Sequence, residues 1–300
     1  MKDNLILKEK LSILCQKIYP VKILLGSIRL EEDLIEFAKR NRLGHFLALE
    51  DNSSSRESEQ LKRILRPFVL EYDDYKRKIK NSLRRVRKFL GNKEFMIIKT
   101  FSSFPHLTSD IDILVKDIEG VHFPVHIEDQ DACLIHIENK ISWVGADAVS
   151  NDFAWRNTQK FNFDGETFLI PNAQLDTIIR MAHIPFEVAH IKLGELLHIY
   201  REAKKFDWQQ LEEEAQLMKW PKTFARMVEI LEMLHWRLFE RPFLKKKKNT
   251  NFQAQVEFPF ELPFGMLARG VIEKRAWKKL YGARFILKER VVAWINRKIS

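Results

Sequence analysis

Residues 95–117, FMIIKTFSSFPHLTSDIDILVKD, constrain the fold of this chain more than any other stretch. Phe95, Met96, Ile97 and Ile98 form an apolar run, a polar loop containing Pro105 follows, and a second apolar run begins with Asp110-Ile111-Asp112. Short runs rich in Ile and Val, bounded by turn residues, read as strands. Side chains alternate along a strand, so Asp110 and Asp112 share one face with Cα atoms roughly 7 Å apart. Like charges that close are unfavourable unless a cation lies between them. The pair reads as a site for a hard divalent metal, Mg2+ or Mn2+, and through it for a nucleoside triphosphate.

The chain on either side of the strands follows a helical period. Leu34, Phe37 and Ala38 make an apolar stripe that opens with Glu31, Glu32 and Asp33 and closes with Lys39, Arg40 and Arg42, which suits the helix dipole. Gly44 is expected to stop that helix, and 51–58, DNSSSRES, to form a polar loop. Ile79, Leu83, Val86 and Leu90 mark another helix, which Gly91-Asn92 should end. Strand signals then cover 95–99, 111–115 and 133–137, with shorter ones at 141–143 and 167–170. Beyond Pro171 the helical period returns in Leu193, Leu196, Leu197 and Tyr200, and again in Val228, Leu231 and Leu234. An exposed loop is expected at 245–251, KKKKNTN, and final helices over 267–298. The expected fold class is α/β of the α+β kind: an N-terminal helical region (1–74), a small mixed-sheet core (75–171) and a C-terminal helical domain (172–300).

Composition narrows the setting. With 45% hydrophobic and 31% charged residues, a chain of 300 residues can bury a real core. Two cysteines, Cys15 and Cys133, exclude a disulfide-built scaffold and suit a reducing compartment. No apolar run approaches the roughly 20 residues of a membrane span. The first 20 residues carry scattered charges and no cleavage site, so a cytoplasmic protein without membrane contact is expected. A net charge of +10 favours polyanionic partners such as nucleoside triphosphates and RNA. Much of that excess lies in 76–88 and 245–248. Arg84, Arg85 and Lys88 read as the solvated face of a helix in preference to a guide for phosphates. His183, His190 and His198 lack the helical His/Glu pairing of zinc hydrolases, which points to packing roles.

Nucleotidyl transfer joins the α-phosphorus of a nucleoside triphosphate to an acceptor and expels pyrophosphate. Two divalent ions held by about three carboxylates on a rigid sheet can align the oxygens and neutralise the phosphates. Asp110 and Asp112 supply two acids. Residues 132–138, ACLIHIE, offer His136 and Glu138 on one strand face. Glu138 is the better third ligand because hard Mg2+ prefers carboxylate oxygen, with His136 as a base or second ligand and Asp131 or Asp129 as alternatives. Lys99 with Thr100, Ser102 and Ser103 makes a loop able to cradle phosphates, while Thr108 and Ser109 lie beside the acids.

The run Lys99-Thr100, loop, Ser109-Asp110-Ile111-Asp112-Ile113-Leu114-Val115 resembles the signature of the polymerase-β-type nucleotidyltransferase superfamily. Within it, the chain is most similar to a family of uncharacterised nucleotidyltransferases whose core reads Lys-Gly, a short loop, then Asp-Ile-Asp-Leu-Leu-Val. Residues 175–183 (LDTIIRMAH), Leu193-Gly194-Glu195-Leu196, Asp207-Trp208 and Ala215 extend the similarity across most of 30–240. The resemblance implies metal ligation by Asp110 and Asp112, a core lysine at Lys99, and nucleotidyl transfer to an acceptor that is RNA, protein or a small molecule. Two positions depart from the family: Thr100 replaces its glycine, and His136-x-Glu138 replaces its Asp-x-His pair. Alternative expectations are a nucleotide- or RNA-binding module without turnover, and the toxin half of a toxin–antitoxin pair.

Overall fold

The computed structural model describes residues 2–28, 34–50, 56–102, 104–116, 122, 125–127, 131–143, 146–244 and 255–263. Ser103, Asp129, the acids at 31–33, the basic loop 245–251 and the expected final helices over 267–298 lie outside them. The chain begins with helices α1 (Lys2–Ile18), α2 (Leu34–Arg40), α3 (Gly44–Glu50) and α4 (Arg56–Leu90). Strands β1 (Phe95–Ile98), β2 (Asp110–Val115), β3 (Val125–Ile127), β4 (Leu134–Glu138), β5 (Ile141–Trp143) and β6 (Ala146–Val149) come next. Helix α5 (Asn151–Arg156) leads to β7 (Thr158–Phe163) and β8 (Glu166–Pro171). The remainder comprises α6 (Ala173–His183), a π-turn at Ile184–Val188, β9 (His190–Ile191), α7 (Leu193–Glu202), α8 (Trp208–Leu217), α9 (Pro221–Phe239) and β10 (Phe260–Glu261). The protein is a mixed α/β molecule of the α+β kind.

Six strands form one sheet in the order β3-β4-β2-β1-β8-β7. The hairpin partners β1/β2, β3/β4 and β7/β8 are antiparallel, whereas β2/β4 and β1/β8 are parallel. Alternation sorts the side chains onto two faces. Ile97, Ile111, Ile113, Ile135 and Ile137 pack against Tyr75, Ile79, Leu83, Val86 and Leu90 of α4, the stripe expected from the 3.6-residue period. Met96, Ile98 and Leu114 point the other way, into a larger core with Leu175, Ile178, Leu193 and Leu196. That core also takes in Leu11, Ile18 and Phe37, so residues from all three expected regions share it.

Two local expectations are corrected. Helix α4 starts at Arg56, inside the expected polar loop, and runs through the 74/75 division. Gly44 does not stop a helix. Helix α2 ends at Arg40, Arg42 adopts a φ of 61°, and Gly44 opens α3. A Cβ at Gly44 would lie 3.0 Å from Cε1 of Phe68, so glycine here permits close packing of α3 on α4. Gly91 behaves as expected, ending α4 with a φ of 60° and its N–H bonded to the Arg87 carbonyl at 2.8 Å. Among the described residues no helix is long and apolar enough to cross a membrane.

Candidate metal centre

The centre assembles where β1 ends and β2 begins. In the sheet register Asp112 stands opposite Ile98 on one side and His136 on the other. Asp110 and Asp112 share the face that α4 leaves uncovered, as the period of two requires. Asp110, Asp112 and His136 each offer a donor atom, and all three atoms lie within 4.8 Å of one another. His136 Nδ1 is 3.5 Å from Asp110 Oδ2 and 3.6 Å from Asp112 Oδ1. Lys99 Nζ is 2.7 Å from Asp112 Oδ2 and stands over the Trp143 ring at 5.5 Å. Lys99 has a φ of 60°, so the chain turns sharply as it leaves β1. Two carboxylates and one imidazole, all half-buried, fit a divalent cation, and the nitrogen donor extends the choice from Mg2+ to Mn2+.

The electrostatics follow from this crowding. Burial pushes the Asp112 carboxyl up, but His136 and the Lys99 ammonium together outweigh it and hold the group below its usual range. Asp112 is also the main cause of a raised His136, although 3.6 Å is an ion-pair contact longer than a good hydrogen bond. Glu138, the acid preferred as third ligand, lies outside the tight donor group. It is two residues beyond His136 on the same face and faces Leu114. Burial first, and then Asp112, raise its pKa. His136 takes the near position because the parallel β2/β4 register sets it, and not Glu138, beside Asp112.

No protein-family model, curated protein or solved structure matches the chain. The reading of the centre therefore rests on its geometry.

The loop from Lys99 to Ser109 is fastened at several points. The Thr100 N–H and hydroxyl both donate to the Ile98 carbonyl, at 2.8 and 3.3 Å. Ser102 Oγ accepts from Arg180 Nη2 at 2.9 Å, and Thr108 Oγ1 pairs with the Tyr75 hydroxyl at 2.6 Å. Thr108 also donates to the Asp110 carbonyl, and Ser109 Oγ donates to Asp110 Oδ1 at 3.1 Å. Of the expected phosphate-binding residues, Lys99, Thr100, Ser102 and Ser109 thus lie on one pinned loop. The buried Thr100 has its amide engaged within that loop.

Several neighbours escaped the sequence reading. Glu187, on the π-turn after α6, is paired with His183 at 2.9 Å. Burial pushes its carboxyl up and Asp112 adds to that, but His183 and Lys99 outweigh both and hold it below its usual range. His183, read as a packing residue, is thereby tied to the rim of the centre. The expectation that His183 makes no helical pair with a glutamate is corrected, since 183 and 187 stand four apart and meet. Behind the loop, Asp176 of α6 accepts from Arg180 at 2.8 Å and contacts His198 of α7 at 2.6 Å, all three buried. The basic helix face settles differently. Asp73, Asp74, Asp164 and Glu166 answer Lys76, Arg77, Lys78, Lys80 and Arg87. Moreover, α4 packs on the sheet face opposite the two aspartates, consistent with a solvated surface.

Proposed function

We propose that this chain is a metal-dependent nucleotidyltransferase that moves an NMP group from a nucleoside triphosphate to a hydroxyl acceptor. What carries the reading is the convergence of Asp110, Asp112 and His136 donor atoms within 4.8 Å beside the Lys99 ammonium. Asp110, Asp112 and His136 would hold the ion, which supplies Lewis-acid polarisation of phosphate oxygens. Lys99, released from Asp112, adds a positive charge for the phosphates, and Ser102 and Ser109 offer hydroxyls on the same loop. Glu138, on the same strand face and outside the donor group, would take the acceptor's proton. The acceptor oxygen bonds to the α-phosphorus, the bond to the bridging oxygen breaks, and pyrophosphate leaves.

One observation favours a second reading. Thr100, where the resembling family carries glycine, adds a Cβ where backbone would approach phosphate, and its amide is already bonded to the Ile98 carbonyl at 2.8 Å. That arrangement suits a nucleotide-binding module without turnover. Incubation with Mn2+ or Mg2+, each α-labelled nucleoside triphosphate and candidate RNA, protein and small-molecule acceptors separates the two. Label transfer lost in both Asp110→Ala and Asp112→Ala supports the enzyme. Metal-dependent binding without transfer supports the module. Identical behaviour of all three proteins rejects the centre.

A further inference from the structure

Arg180 is a buried arginine that the proposed chemistry does not use. It is 2% exposed, and its three guanidinium nitrogens meet three different parts of the fold. Nε donates to Asp176 on its own helix at 2.8 Å, Nη1 lies 3.9 Å from Glu195 of α7, and Nη2 donates to Ser102 Oγ at 2.9 Å. His198 Nε2 meets the same Asp176 oxygen, Oδ2, at 2.6 Å. A buried ionic cluster seldom stabilises more than an apolar one of the same volume, so its use here is better sought in the position it imposes. The group whose position it imposes is Ser102, half-exposed on the loop between Lys99 and Asp110.

The direction of the Ser102 contact matters. A guanidinium only donates, so the serine oxygen must accept, and its own O–H is left to point elsewhere. A hydroxyl whose oxygen already accepts from a cation is also a stronger donor. Resting on the nucleotide-binding reading above, we propose that Arg180 is a positioning residue that presets the Ser102 hydroxyl as a donor to the triphosphate. The loop is held for this at both ends, by Arg180 at Ser102 and by Tyr75 at Thr108. The donor is thus in place before the nucleotide arrives, which lowers the ordering cost of binding.

The test is a double-mutant cycle read by titration calorimetry with Mn2+ alone and then with Mn2+ and each of the four nucleoside triphosphates. Ser102→Ala should weaken nucleotide binding about tenfold, the usual scale for losing a hydrogen bond to a charged group, with Mn2+ alone bound as in the wild type. Ser102→Thr, which keeps the hydroxyl, should stay within about twofold. Arg180→Lys, which keeps the charge without the planar fork, should match Ser102→Ala, and the double variant should be no worse than either. Thermal melting identifies an Arg180→Lys protein that fails to fold, in which case Arg180→Gln, which keeps an N–H donor without the charge, takes its place. A folded Arg180 variant that binds nucleotide as the wild type does, while Ser102→Ala does not, overturns the positioning role. Nucleotide bound equally by the wild type and Ser102→Ala overturns the role of Arg180 while leaving the proposed function standing. A wild type that binds no nucleotide removes that function, and this inference with it.

Discussion

Asp110 and Asp112 keep two carboxylates on one strand face, answered among the described residues by the Lys99 ammonium and the His136 imidazole. Such a site trades stability for binding. Asp110→Asn should leave the metal-free protein within about 1 kcal/mol of the wild type, because it relieves like-charge repulsion as it removes a partner of His136. The same change should weaken Mn2+ binding at least about tenfold, as loss of one ligand from three implies. Melting curves with and without Mn2+ check both halves, and a large loss of metal-free stability would make the carboxylate structural. The acid pair was legible because a period of two needs only local sequence. The rank of His136 over Glu138 was not. Ligand hardness favours the glutamate, whereas the pairing of β2 with β4 decides which side chain stands beside Asp112.

Helix α4 and the start of α7 show two ways in which elements meet. Leu83 of α4 is 2% exposed among Ile79, Val86 and the sheet isoleucines, so Leu83→Ala should cost about 2–5 kcal/mol in denaturant unfolding. Helix α7 instead meets the α2–α3 turn with no room to spare. Asn41 Oδ1 accepts from Leu193 N–H at 3.0 Å, and the Asn41 carbonyl accepts from Gly194 N–H at 3.1 Å. A Cβ at Gly194 would lie 2.8 Å from the Asn41 oxygen and 3.0 Å from Phe104 Cζ. Gly194→Ala should therefore cost about 1–3 kcal/mol by the same measurement, against a gain from helix propensity alone. The α4 stripe was readable from periodicity, and β1, β2, β4, β5 and β8 from short apolar runs between turn residues. Strand β7, TQKFNF, was not, because its polar residues suit an edge and its existence depends on pairing with β8.

The buried polar groups give the protein a common response to acid. His106 is 4% exposed, its Nε2 has no partner among the described residues, and burial holds its pKa well below the usual value. The folded state leaves it neutral, while the unfolded chain takes up a proton below about pH 6.5. That contribution to stability is full at higher pH and shrinks as pH falls through about 6.5. Asp176 and Glu195 add loss at lower pH. Burial raises both, but Arg180 and His198 around Asp176, and Arg42 and Arg180 around Glu195, hold the folded values below normal. Their contribution is intact above about pH 4 and declines as pH falls towards those lowered values. Unfolding free energies at pH 8, 6 and 5 should fall in that order from this group, and His106→Leu should flatten the slope. An unchanged slope in His106→Leu would remove His106 as the cause.

Local sequence determined the helices with apolar stripes, the Ile- and Val-rich strands and the shared face of the two aspartates. Each depends on side-chain period or backbone preference over a few residues. Tertiary structure alone decided the strand order β3-β4-β2-β1-β8-β7, the approach of His136 to Asp112, and the reach of Arg180 across 78 positions to Ser102. Those features arise when segments distant in sequence bury one core together, and no local period records which partner each segment will meet.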